Sequence, residues 1–217
     1  MQDEEKEVKM DKEKVLKILL IIAVLVFIAL GIFTIYKFVI INKILNKMQE
    51  YVSIDNYYMK VIDKDDESGT MEIYYKDGIG KSITTANICT WTNGTEAYMF
   101  NEVTKKIQKV NMESPLLISN EFVASVVPGY SKSFVQKLLL ASNLNTSVKV
   151  KNYDGIKYYV ITTKENKVWF EYDSLLPAQA NLEMSTVKKT YTYEINFDVV
   201  REDDVKKPNL AEYIFVD

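Results

Sequence analysis

Histidine is absent from all 217 residues, and cysteine occurs once, as Cys89. Without imidazole the chain lacks Ser-His and Cys-His catalysis, histidine general bases and the commonest metal ligand. A single cysteine makes no internal disulfide, so Cys89 reads as a small buried apolar residue and stability has to come from packing. Ser131-Lys132-Ser133 sets hydroxyls beside an amine, but no oxyanion-hole signature accompanies them, so Ser-Lys catalysis is not expected. Asp63, Asp65, Asp66 and Glu67 gather oxygens without the spacing of an EF-hand. They read as a solvated turn, as do Glu202, Asp203 and Asp204. Asn93-Gly94-Thr95 and Asn145-Thr146-Ser147 match the glycosylation sequon, a triplet common by chance. No phosphate loop, zinc spacing or dinucleotide fingerprint occurs. The expectation is a protein that is not an enzyme and uses no metal and no cofactor.

The charge balance points the same way. Lys and Arg number 27 against 30 Asp and Glu, a net charge of −3. From Tyr51 onward nineteen basic residues face twenty-three acidic ones. Nucleic-acid binding would call for a basic stripe, and none is present.

The elements that must carry any site begin with an anchor. Ile18 to Tyr36 runs nineteen residues without a charge, and fourteen of them are Leu, Ile, Val or Phe. At ~1.5 Å per residue such a helix covers the ~30 Å hydrocarbon core. Fourteen side chains at about −0.3 to −0.6 kcal/mol each favour insertion by roughly 4–8 kcal/mol. The apolar run continues past Ala29-Leu30-Gly31 to Ile41, too long for a cleaved signal peptide, so it reads as a signal-anchor. Lys6, Lys9, Lys12, Lys14 and Lys17 precede it and Lys37, Lys43 and Lys47 follow it, which favours a cytoplasmic N-terminus. Tyr36 and Lys37 mark the outer interface. The expected division is a cytoplasmic tail (1–14), a transmembrane helix (15–41), a juxtamembrane helix (42–52) and one extracytoplasmic domain (53–217). The juxtamembrane part repeats Phe38, Ile41, Ile44, Leu45, Met48, Tyr51 and Val52 at helical spacing, to pack on the domain or, alternatively, to lie on the lipid surface.

Past Tyr51 the period changes to two. Tyr57 to Ile62, Thr70 to Tyr75, Lys81 to Thr84 and Ala86 to Thr92 read as strands of hairpins, and Asn93-Gly94 as a tight primed turn leading into Thr95 to Asn101. Ile107 to Val110 follows. Ser131 reads as the cap of an amphipathic helix carrying Phe134, Val135, Leu138, Leu139 and Ala141. Later strands are Ser147 to Asn152, Lys157 to Thr163, Lys167 to Asp173, Ala178 to Ser185 and the strictly alternating Tyr191 to Val199. The fold class is α+β: one N-terminal transmembrane helix, then a curved antiparallel half-barrel of about nine strands covered by helices.

Several segments in this order resemble the LolA/LolB family of lipoprotein carriers. Ile44-Leu45 leads into Tyr57-Tyr58-Met59-Lys60-Val61, and Ser68-Gly69-Thr70-Met71-Glu72-Ile73-Tyr74-Tyr75-Lys76 follows. Next come Trp91-Thr92-Asn93-Gly94-Thr95-Glu96-Ala97-Tyr98-Met99-Phe100-Asn101 and Lys106-Ile107-Gln108-Lys109-Val110. Late in the chain Trp169-Phe170-Glu171-Tyr172 with Leu176-Pro177 looks like the family's strand and turn before a Pro-led strand. The resemblance covers roughly Ile44 to Val199 and implies a half-open barrel lidded by helices. The family's soluble carrier has an arginine that helps hold the lid closed. This chain has Lys76 nearest that place, and Asp77 where the pattern has proline. Lysine cannot make the two-pronged contact, so that lid chemistry is not carried over.

Met59, Met71, Ile73, Tyr75, Met99 and Met184 are candidates to line an apolar trough, since thioethers fill irregular space. The competing reading of the same residues is ordinary sheet core. The expected function is a membrane-anchored extracytoplasmic binding protein holding a lipid, acyl chain or lipoprotein. The alternative is an envelope sensor or protein-interaction module that acts through a membrane or extracytoplasmic partner.

Overall fold

The structure is a computed structural model that describes residues 12–66, 69–111, 126, 133–164, 166–184 and 187–216. Helix α1 (Lys12–Val52) is continuous over 41 residues, with no proline and a single glycine, Gly31. Its first half exposes its apolar side chains all round, as Leu20, Phe27 and Phe33 show, while Ile41, Ile44, Leu45 and Met48 are buried. One helix thus carries two surfaces. A candidate membrane helix passes without a break into a core helix.

The strands are β1 (Asn56–Asp63), β2 (Met71–Lys76), β3 (Ile79–Thr84), β4 (Ile88–Thr92), β5 (Ala97–Asn101) and β6 (Lys106–Lys109), followed by helix α2 (Phe134–Ser142). Then come β7 (Ser147–Tyr153), β8 (Ile156–Thr162), β9 (Lys167–Glu171), β10 (Pro177–Met184), β11 (Val187–Phe197) and β12 (Ile214–Phe215). They form one curved, unclosed sheet in the order β12-β6-β5-β4-β3-β2-β1-β11-β10-β9-β8-β7. Two meanders, β1–β6 and β7–β11, are joined where β1 pairs with β11, and every pairing is antiparallel except β12 on β6.

Twelve strands stand where about nine were expected. The excess includes β12, whose two residues hold too few alternations to be read from pattern alone. The primed two-residue turns are Asp77-Gly78 and Asp154-Gly155, with positive φ at both positions of each (49° and 83°, 52° and 85°). The connection at Asn93-Gly94 departs from the expected two-residue turn. The loop spans four residues, only Gly94 has positive φ, and the Asn93 side chain accepts from the N–H groups of Thr95 and Glu96. An Asx side chain that can mimic a backbone turn relaxes the demand for a primed pair.

Each face of the sheet carries its own core. On the concave face Ile41, Ile44, Leu45 and Met48 of α1 pack with Tyr57, Met59, Ile73, Val148, Tyr159, Ile161, Val168, Phe170, Ala180 and Leu182. Each fully buried aliphatic side chain contributes about 1.5–3 kcal/mol. On the convex face Cys89, Trp91, Tyr98, Phe100 and Ile107 form a second cluster, covered by Leu210 and Tyr213 of the C-terminal segment. That segment is tied down by Trp91 Nε1 donating to the Val205 carbonyl (2.9 Å) and by Tyr213 Oη donating to Glu102 (2.8 Å). Lys207 lies over the rings of Trp91 and Tyr98 and 2.7 Å from Glu96.

Candidate functional site

Register across the sheet shows which side chains share a face. Met99, Thr90, Ser82, Ile73, Met59 and Ile195 stand opposite one another in a single concave row. A second row holds Phe197, Tyr57, Tyr75, Gly80, Thr92 and Ala97. Five of the six sequence candidates, Met59, Met71, Ile73, Tyr75 and Met99, therefore lie on the concave side. The sixth, Met184, ends β10 opposite Val187, and its side chain lies outside the described residues.

Their surroundings differ. Met59 (3% exposed) and Ile73 (2%) are sealed in the same cluster as Ile44 and Met48 of α1. Tyr75 is buried there too, and Met71 packs against it half-buried. Met99 is 38% exposed. Between it and Ile73 the floor is lined by small polar groups, of which Ser82 and Thr92 are buried. The helix that leads into the domain therefore occupies the apolar half of the concavity. The β3–β6 half is shallower in side-chain volume and more polar.

The lower rim of the domain holds a recess of about 780 Å³ between α1, the end of α2 and the start of β7. Phe27, Leu30, Phe33 and Tyr36 line it from the helix, and Leu144 and Val148 line it from the domain. Gly31 faces open space, with no atom within 4 Å of where a Cβ would stand. Lys37 closes the upper end by donating to the carbonyls of Asn143 (3.1 Å) and Thr146 (2.9 Å), and Lys149 adds a second amine at the rim. Val148 also belongs to the concave core, so the recess meets the interior of the sheet at that residue. Lys37 was marked in the sequence, with Tyr36, as the outer interface. Leu144 and Val148 were not, because only the fold brings them to the helix.

The acidic residues do not form a reactive set. Among the described residues no three of His, Cys, Asp or Glu converge as metal ligands. Asp63, read from sequence as part of a solvated turn, is instead buried. Its Oδ2 lies 2.6 Å from Lys189 Nζ, and its Oδ1 accepts from the N–H groups of Asp65 and Asp66. The Lys189 hydrogen bond is the main force holding the Asp63 carboxyl below its ordinary range, and the same bond pushes the Lys189 amine up. Burial pushes the Cys89 thiol up to about 12.

No family model and no curated protein matches the chain. Solved structures similar to it include an uncharacterized conserved protein from Thermus thermophilus, with 9% identity, 81% of this chain and 98% of that one covered, and a TM-score of 0.49. MucB is similar at 13% identity over 77% of this chain, with a TM-score of 0.40, and has also been solved in complex with MucA(peri). The matched part spans 62% of MucB's length. A putative outer membrane lipoprotein-sorting protein domain from Vibrio parahaemolyticus shares 11% identity, with 75% and 94% covered and a TM-score of 0.34. This last domain is of the class that the sequence motifs resemble.

Proposed function

We propose that the chain is a single-pass, membrane-anchored extracytoplasmic binding protein that takes a lipid or an acyl chain at the junction of its span and its sheet. The observation that carries this reading is the 780 Å³ recess, walled by Phe27, Leu30, Phe33 and Tyr36 of the helix and by Leu144 and Val148 among polar residues of the domain, and open beside a helix fit to cross a bilayer. Its volume is within the range of ligand pockets. An acyl chain would lie along Phe27, Leu30 and Phe33 with its tip toward Val148. The trough of Met59, Ile73 and Tyr75 keeps α1 as its occupant, and ligand meets that interior only at the rim.

Photo-crosslinking tests this in membranes that hold the full chain and a phospholipid with a diazirine at its acyl terminus. Adducts are expected on Val148, which a bulk lipid tail cannot reach without entering the recess. Gly31→Phe, which fills the space, should abolish them. Adducts confined to the outer surface of residues 18–33 in both proteins would defeat the reading. Protease protection of residues 53–217 in intact cells would overturn the orientation, in which the N-terminus is cytoplasmic.

A second reading, recognition by a partner protein, has its own observation on the convex face. Tyr153, Tyr158 and Trp169 line a shallow recess of about 400 Å³, with Lys167 Nζ 4.4 Å from the Trp169 ring centroid. Aromatic clusters that open to the surface in this way anchor protein contacts. A photoreactive residue at Tyr153 should give one discrete protein adduct that Trp169→Ala removes, and the absence of any adduct rejects this reading.

A further inference from the structure

Helix α2 presents its apolar stripe outward. Phe134, Val135 and Leu139 are 66%, 62% and 64% exposed, Leu138 lies beside them, and Leu144 just beyond the helix is 83% exposed. Residues 134, 135, 138 and 139 fall on one face, whereas Lys137 and Leu140, both half-buried, and the buried Ala141 at the edge of that face turn toward the protein. A soluble domain gains nothing by turning this side of a helix to water, and an exposed patch of this kind marks an interaction site. The helix is well specified. Ser133 Oγ accepts from the Gln136 N–H and Gln136 Oε1 accepts from the Ser133 N–H, a reciprocal capping box.

What covers the stripe follows from where α2 is held. Phe134 meets Phe38 edge-on at 5.2 Å, and Lys37, the first charge after the uncharged run, grips the loop that follows α2. Leu144 shares a recess with Phe27 and Leu30, which lie seven to ten residues below Lys37, or roughly 10–15 Å along the axis at ~1.5 Å per residue. A plane drawn through the end of the span therefore passes through α2.

Resting on the reading of residues 15–41 as the span, we infer that α2 is an interfacial helix whose Phe134, Val135, Leu138 and Leu139 lie in the headgroup-acyl boundary of the same bilayer. The domain then touches the membrane at two points, the span and this helix, and the recess between them opens directly to the lipid. Amphipathic helices bind at this depth through their apolar face. Gln136 flanks the stripe, and Lys137 is half-buried against the protein.

Site-directed spin labelling of the full chain in nanodiscs of phosphatidylcholine with phosphatidylglycerol tests the inference, and buried Cys89 stays unlabelled. Labels at Leu139→Cys and, separately, Val135→Cys are compared with Leu25→Cys in the span and Val103→Cys in the exposed β5–β6 turn. The oxygen-to-nickel accessibility ratio at positions 139 and 135 should fall between those two references, well above that of Val103. A ratio equal to that at Val103, while Leu25 reads as hydrocarbon, overturns the inference and leaves the anchor standing. A water-like ratio at Leu25 removes the anchor and the inference together. Loss of access to both reagents at positions 139 and 135 would mean that a second copy covers the stripe, which also overturns it.

Discussion

Asp63 closes β1 with a carboxylate that water barely reaches, and three donors account for its oxygens. Its pKa is lowered on folding, so its stabilisation is fully present above the unfolded value of about 4 and is lost as pH falls through the lower folded value. Lys189 is raised, so its share is present below its unfolded value and is lost as pH rises through the folded one. Asp63→Asn should lower the melting midpoint near neutral pH and flatten its fall in acid, as thermal unfolding across pH 2–7 would show. Gly69→Ala should destabilise as well, because the added Cβ would stand 3.0 Å from Asp63 Cβ and Oδ2, and the carboxylate is too tightly held to give way. Cys89, with its thiol raised to about 12, should resist thiol reagents at pH 8 until denaturant is added, since the thiolate is the reactive form. Burial of Cys89 was legible from composition. The burial of Asp63 was not, because its partner Lys189 lies 126 residues away.

At the scale of elements, α1 performs two tasks with one hydrogen-bonded rod. Ile44→Ala should cost about 2–5 kcal/mol, the usual penalty for emptying a filled core site, while Leu25→Ala, on the exposed half, should leave the domain's unfolding midpoint unchanged. Denaturant unfolding in micelles distinguishes them. Equal effects would mean that the C-terminal half is not seated in the sheet. Strands with strict alternation, such as Tyr191 to Phe197, were readable because their signal is local. The two-residue β12 was not, since it exists only by pairing with β6. The amphipathic pattern of α2 was also visible, but Ser133 rather than Ser131 caps it, and its apolar stripe faces outward. Ser131 lies outside the described residues. Periodicity reports that a helix has an apolar side and is silent on what that side meets.

Over the whole molecule the sheet is stabilised from both faces by the two ends of the chain, α1 on the concave side and residues 205–216 on the convex side. Removing residues 206–217 should uncover Trp91, Tyr98, Phe100 and Ile107, lower the melting midpoint and promote association, measurable by thermal unfolding with light scattering. An unchanged midpoint would show that the strap is dispensable. The concave placement of Met59, Met71, Ile73, Tyr75 and Met99 was legible from alternation. The recess at the rim was not, because its two walls are joined by contacts such as Lys37 to Thr146, separated by 109 residues. Between the sheet and its exposed apolar half, α1 is one unbroken helix with no proline and a single glycine. A hingeless rod of this kind transmits torque. Whatever tilts or turns the domain must swing the opposite end of the helix with it, which, on the proposed reading of residues 15–41 as a span, makes the tether a mechanical lever across the bilayer as well as a mooring.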